Sequence, residues 1–213
     1  MSASAEKRTL KNYTLRPPRA SDYEVIASWI TDSGTCQRWA GPRVSFPFSA
    51  NDLPTRLLHP GIESYCLSDG LVATYGFGQF WVVTPGAVHL GRLIISPELR
   101  GQGFGRKLCQ QLMKKAVQRT GARKITLRVY RDNTPAVALY LNLGFVPVRS
   151  ESTDEILFME AAVNGQLLFL IASEQQPGCA GKQQEETDTR PVGQGQTEED
   201  PLLVRAEPGH HEH

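Results

Sequence analysis

Residues 88–112, VHLGRLIISPELRGQGFGRKLCQQL, limit what this chain can fold into more than any other stretch. An apolar strand (88–95) runs through a turn at Ser96 and Pro97 into a glycine-rich loop (100–105), and a helix follows from Phe104. Gly101, Gly103 and Gly105 carry no Cβ, so the loop's main chain can come close to whatever lies against it. The first amides of the helix are unpaired and the positive end of its dipole points into the same loop. Together these make an anion seat, suited to a phosphate or pyrophosphate.

The P-loop pattern is absent, and so is the dinucleotide fingerprint G-x-G-x-x-G, because the three glycines alternate and position 106 is Arg. The pattern that fits is Arg100-x-x-Gly103-x-Gly105, with Arg106 behind it. A plain strand-to-helix turn with solvated arginines would also account for these residues.

The rest of the chain supplies the sheet and helices around this unit. Residues 12–16 read as a first strand stopped by Pro17-Pro18, and Ser21 with Glu24 as a capping box for a helix to Ile30. Its expected apolar face is Val25, Ile26, Trp29 and Ile30. Residues 31–60 are broken by glycines and prolines and hold a short helix at 51–58. Strands at 63–68, 71–83 and 87–95, turning at Asp69-Gly70 and Pro85-Gly86, form an antiparallel meander. The helix from Phe104 runs to Thr120 and Gly121 closes it. A fifth strand spans 124–130, a helix opens at residues 132–135 and ends at Leu143, and strands follow at 145–148 and 156–162. The segment after Asn164-Gly165, QLLFLIA, reads as one more hairpin strand. From residue 174 the composition turns to Gln, Glu, Gly, Pro and Thr. The expected organisation is a flexible start (1–9), one domain (10–173) and a disordered tail (174–213).

A net charge of +1 gives no global field to attract nucleic acid or an anionic membrane, so neither is an expected partner. No apolar run approaches the ~20 residues of a membrane span and residues 1–13 hold no apolar core of a leader, which gives a cytoplasmic expectation. Cys36, Cys66, Cys109 and Cys179 are widely spaced, so reduced thiols are expected, and no metal site.

A second constellation, Asn133 with Tyr140 and Gly144-Phe145, follows the fifth strand as N-x-x-x-x-x-x-Y-x-x-x-G-F. The two patterns in this order resemble the acetyl-coenzyme A and second motifs of the GNAT family of N-acetyltransferases, across residues 10–165 and most strongly from 88 to 146. The resemblance implies an α/β fold with a mixed, mostly antiparallel sheet of six to seven strands flanked by about four helices, its fourth and fifth strands splayed. It implies acetyl-CoA as co-substrate. Leu93, Ile94 and Ile95 would offer main-chain groups to the pantetheine arm. Arg100, Gly101, Gln102, Gly103, Phe104, Gly105 and Arg106 would hold the pyrophosphate, and Asn133 would bond to the arm or cap its helix, or both. Tyr140 would serve as the acid for the leaving thiolate, core packing being its other reading.

The implied reaction is direct attack of a neutral primary amine on the thioester within a ternary complex, with a main-chain N–H of the fourth strand stabilising the oxyanion. His89 on the fourth strand, or Glu63, is the candidate base. Family members that acetylate ribosomal-protein N-terminal alanine carry Glu five residues before the motif asparagine, and here that residue is Arg128. Trp39, Phe46, Phe80 and Trp81 are candidates for an acceptor pocket. A small-molecule amine is the expected acceptor, its identity open, in a monomer or homodimer. Protein N-terminal or lysine acetylation, a non-catalytic CoA sensor and an unrelated phosphate binder are the alternatives.

Overall fold

A computed structural model describes residues 13–70 and 73–172. Seven strands form one sheet in the order β1-β2-β3-β4-β5-β7-β6, and every neighbouring pair is antiparallel except β4 with β5. The strands are β1 (Thr14–Arg16), β2 (Ile62–Ser68), β3 (Thr74–Thr84), β4 (Ala87–Ile95), β5 (Lys124–Tyr130), β6 (Val146–Pro147) and β7 (Ile156–Ala162). The helices are α1 (Ala20–Ser28), α2 (Ser33–Ala40), α3 (Leu53–Leu57), α4 (Phe104–Thr120), α5 (Thr134–Asn142) and α6 (Gly165–Ala172).

Two apolar clusters hold the layers together. On one face of the sheet, Leu108, Leu112, Met113 and Ala116 of α4 pack with Phe80, Val88, Leu90, Ile125 and Leu127. On the other, Ile26, Trp29, Cys36, Trp39, Leu53 and Leu57, from α1 to α3 and the residues beside them, pack against Cys66, Phe77 and Ile94. The crossover between the parallel β4 and β5 is α4, a connection that only a crossover element can make.

Several expectations are revised. The first helix begins at Ala20, and the carboxylate that accepts from its N-terminal amide is that of Asp22, on Arg19 N at 2.5 Å, not that of Glu24. Asp22 takes this role because it also receives both Nη atoms of Arg16, at 2.6 and 2.9 Å, and the Thr74 hydroxyl. Val25 is exposed, so the inward stripe is narrower than expected. Six helices are present where about four were expected. One addition, α2, is capped by Asp32, whose carboxylate accepts from Thr35 N at 2.8 Å. The other, α6, replaces the anticipated last strand: β7 already lies between β5 and β6, and Asn164 Oδ1 accepts from Leu167 N at 2.9 Å to start a helix. Cys36, Cys66 and Cys109 are free and buried. Residues 1–12, 71–72 and 173–213, including Cys179 and the expected tail, lie outside the described residues.

Candidate active site

The central strands part in the middle of the sheet. β4 pairs with β5 only from Ala87↔Lys124 to Leu90↔Leu127, although β4 continues to Ile95 and β5 to Tyr130. A bulge marks the parting: the β3 register jumps from Gln79↔Gly91 to Phe77↔Ile94, and Arg92 adopts a φ of 53°. Beyond Leu90 the groups of β4 that would have met β5 face a gap.

That gap opens into a cleft of about 350 Å³, walled by Trp39 and Arg38 of α2, Trp81 of β3, residues 89–93 of β4, residues 128–130 of β5, and Asn133 and Tyr140. Trp39 Nε1 donates to Arg92 O at 2.8 Å, which fastens α2 to the bulge. Across the mouth, the Arg38 guanidinium donates to both Asp132 oxygens at 2.6 and 2.7 Å and lies over the Tyr130 ring. Trp81 covers Gly91, where a Cβ would stand 2.6 Å from its ring. Phe80 is instead buried against Tyr65 on the α4 face, and Phe46 is exposed beside Phe48, so neither lines the cleft.

His89 and Tyr140 both line this cleft. The His89 ring is held between Trp81 and Phe158. Thr126 Oγ1 lies 2.8 Å from His89 Nδ1 and 3.2 Å from Val88 O; when the hydroxyl donates to that carbonyl it accepts from Nδ1, the tautomer that leaves Nε2 unprotonated. Burial, with Arg128 and Arg92 nearby, lowers His89 to about 4. Tyr140 is the reverse case: burial pushes its phenol well above the usual value, and the hydroxyl meets no hydrogen-bonding group among the described residues. Glu63 is turned away, toward α4, where it receives Tyr65 OH at 2.7 Å and pairs with Arg119 at 3.2 Å.

Of the residues expected to hold a cofactor, Leu93 and Asn133 line the cleft. The Ile94 side chain is buried in the α1 to α3 cluster, and Ile95 O accepts from Arg100 Nε at 3.3 Å. Residues 100–106 are not among the walls of the cleft. They lie at the N-terminus of α4, where a Cβ on Gly105 would approach Leu139 of α5 to 3.4 Å. Gly101 and Gly103 have φ of 74° and 87°. The first bond into α4 runs from Lys107 N to Gly103 O, and no acceptor among the described residues meets the amides of Gly103, Phe104, Gly105 or Arg106. Asn133 Oδ1 accepts from Ala136 N at 3.4 Å as the cap of α5. The splayed strands and open amides fit an elongated ligand with an anionic segment.

The profile of the acetyltransferase (GNAT) family matches residues 28–145. The chain belongs to this family. The chain is also similar to the peptidyl-lysine N-acetyltransferase YjaB of Salmonella typhimurium, 39% identical over 67 residues, a match spanning 31% of this chain and less than half, 42%, of that protein. Among solved structures, spermidine N-acetyltransferase from Vibrio cholerae with CoA and spermine superposes with a TM-score of 0.60 at 20% identity, over 71% of this chain and 95% of that one. The enzyme AAC(6')-Ib with ribostamycin and coenzyme A superposes at 0.59 and 18% identity, over 74% and 96%. At these identities the likeness is one of fold, and the seven-stranded mixed sheet is the GNAT fold.

Sequence reasoning missed Arg38, Tyr130 and, most consequentially, Arg92. Neither its bulge nor its burial has a sequence signal, since register is set by the pairing of β3 with β4.

Proposed function

We propose that this chain is an N-acetyltransferase that moves the acetyl group of acetyl-CoA to a primary amine, a small-molecule amine foremost. The observation that carries this reading is the parting of β4 from β5 into a cleft that both His89 and Tyr140 reach. Leu93, Ile94 and Ile95 would hold the cofactor's arm through their main chain, Asn133 its amides, and residues 100–106 its pyrophosphate. Acetyl-CoA supplies the activated thioester carbonyl. His89 Nε2 takes a proton from the incoming ammonium directly or through water, leaving a neutral nucleophile. The amine nitrogen would bond to the thioester carbon as the carbon–sulfur bond breaks; Tyr140 would give its proton to the departing sulfur, and the surplus proton on the nitrogen would return through solvent to restore the phenol. Main-chain N–H groups of β4 facing the gap stabilise the oxyanion. We place the reaction in a domain spanning residues 10–173, in the cytoplasm, acting as a monomer or homodimer.

Peptidyl lysine is the second acceptor class, favoured by the identity to the Salmonella typhimurium relative. The test is calorimetric titration of acetyl-CoA, followed by a screen of small amines and lysine peptides that reads free thiol release. Binding with thiol release driven by small amines supports the proposal. Release with peptides alone selects the second reading, and absence of binding overturns both.

A further inference from the structure

The walls of the candidate acceptor site are mainly cationic: Arg38, Arg92 and Arg128 line the cleft, Arg38 is paired with Asp132, and Glu151 lies in a separate neighbouring cavity that shares His89 and Arg128. The cleft and an adjoining cavity of about 390 Å³ share Arg92 and Trp81, and that cavity adds Arg43 and His59. No Asp or Glu among the described residues lines either space. Arg38 has its carboxylate in Asp132, but Arg43, Arg92 and Arg128 have none among the described residues. Arg92 is the most telling. It is partly buried, one Nη donates to Gln79 Oε1, its plane lies over Trp81 at 5.6 Å, and its buried Nε has no hydrogen-bond partner among the described residues. Gln79 is itself held by donating to Leu57 O at 3.1 Å and Ser64 Oγ at 2.7 Å, which fixes the guanidinium in place.

A partly buried guanidinium with no carboxylate beside it is costly unless an anion reaches its Nη end from the cavities that Arg92 lines. Its planar fork suits a carboxylate held by two parallel hydrogen bonds. A polyamine would meet these arginines as like charges, which disfavours binding strongly. The same positive wall makes the ammonium of any bound acceptor easier to deprotonate, which favours the attacking form.

We infer that the acceptor is a small primary amine bearing a carboxylate, which Arg92, with Arg43 beside it, recognises between α2 and the β4 bulge. The inference rests on the acetyl-transfer reading above and adds the acceptor's class to it.

The test uses the full chain with acetyl-CoA and follows thiol release with a panel of α- and ω-amino acids, the primary amide of each, spermidine, and a lysine peptide. At least one amino acid is expected to exceed its own amide in kcat/KM by about tenfold or more, with spermidine the poorest of the small amines. Arg92→Met is expected to reduce that preference toward parity, with acetyl-CoA affinity by calorimetry as the check that the variant is folded. Should it not fold, Arg43→Met, on an exposed residue, is expected to shrink the preference about threefold. Equal or better turnover of amides, spermidine or the peptide overturns the inference and leaves the transferase reading intact. Acetyl-CoA binding without release by any amine overturns the transferase reading, and this inference with it.

Discussion

Two titratable side chains face one cleft, and their surroundings keep the phenol protonated and the imidazole neutral at working pH, while each shift also weakens the group as an acid or a base. Tyr140 keeps its proton across the usable pH range because burial disfavours the phenolate. Tyr140→Phe removes the proton and keeps the ring, so kcat is expected to fall about 100-fold while acetyl-CoA affinity changes less than about twofold. An unchanged kcat removes the acid role. His89, lowered to about 4, is neutral and ready to accept above about pH 5. The acid limb of kcat at saturating acceptor is therefore expected near pH 4, with a flat profile above it. A limb near the ordinary histidine value of 6.5 would show that His89 is not the group being titrated.

At the scale of elements, α2 forms one wall of the cleft and is fastened by a hydrogen bond from Trp39 to the carbonyl of the strained bulge residue. Trp39→Phe keeps most of the apolar contact and deletes that bond, which is expected to cost about 1 kcal/mol in urea unfolding and to raise the acceptor KM more than the acetyl-CoA KM. The N-terminus of α4 gives the opposite signature. Gly103 sits at a φ of 87°, so Gly103→Val is expected to weaken acetyl-CoA binding by at least about tenfold through the distorted loop. The elements differ in how far the sequence discloses them. Residues 104–120, 124–130 and 156–162 were legible because unbroken periodicity and a closing Gly121 point to one answer. α2 was not, because it has eight residues and a glycine at its second position, and its one clear signal is the Asp32 cap. α6 was misread because an unbroken apolar run has no period to distinguish helix from strand, although Asn164 stands at its cap. The loop and Tyr140 could be singled out by residue type and spacing, whereas Arg92 depended on a register that only pairing with β3 creates.

For the molecule as a whole, two buried groups tie stability to pH in the same direction. The His89 value is depressed in the folded state, so below about 6.5 the unfolded chain binds a proton that the folded chain refuses, and stability drains away as pH falls toward about 4. Asp22 takes over below that. Burial opposes its ionisation, but hydrogen bonds from Arg16, Thr74 and Arg19 outweigh it and bring the carboxyl to about 2 against an ordinary 3.8. The stability it contributes is complete above 3.8 and lost as pH falls through about 2. Each effect is on the order of 2 to 3 kcal/mol, a large share of the roughly 5–15 kcal/mol that holds a domain together. Asp22 joins β1, α1 and β3, so its loss loosens one end of the sheet together with the helix layer that carries α2. Urea midpoints measured from pH 7 down to pH 2 are therefore expected to decline in two stages. His89→Gln should flatten the upper stage alone. Asp22→Asn should flatten the lower one and, by removing the carboxylate that joins Arg16, Thr74 and the Arg19 amide, cost roughly 3 kcal/mol at neutral pH. Midpoints that stay level between pH 6.5 and 4 would mean that the folded protein protonates His89 as readily as the unfolded chain does, and would contradict its burial between Trp81 and Phe158.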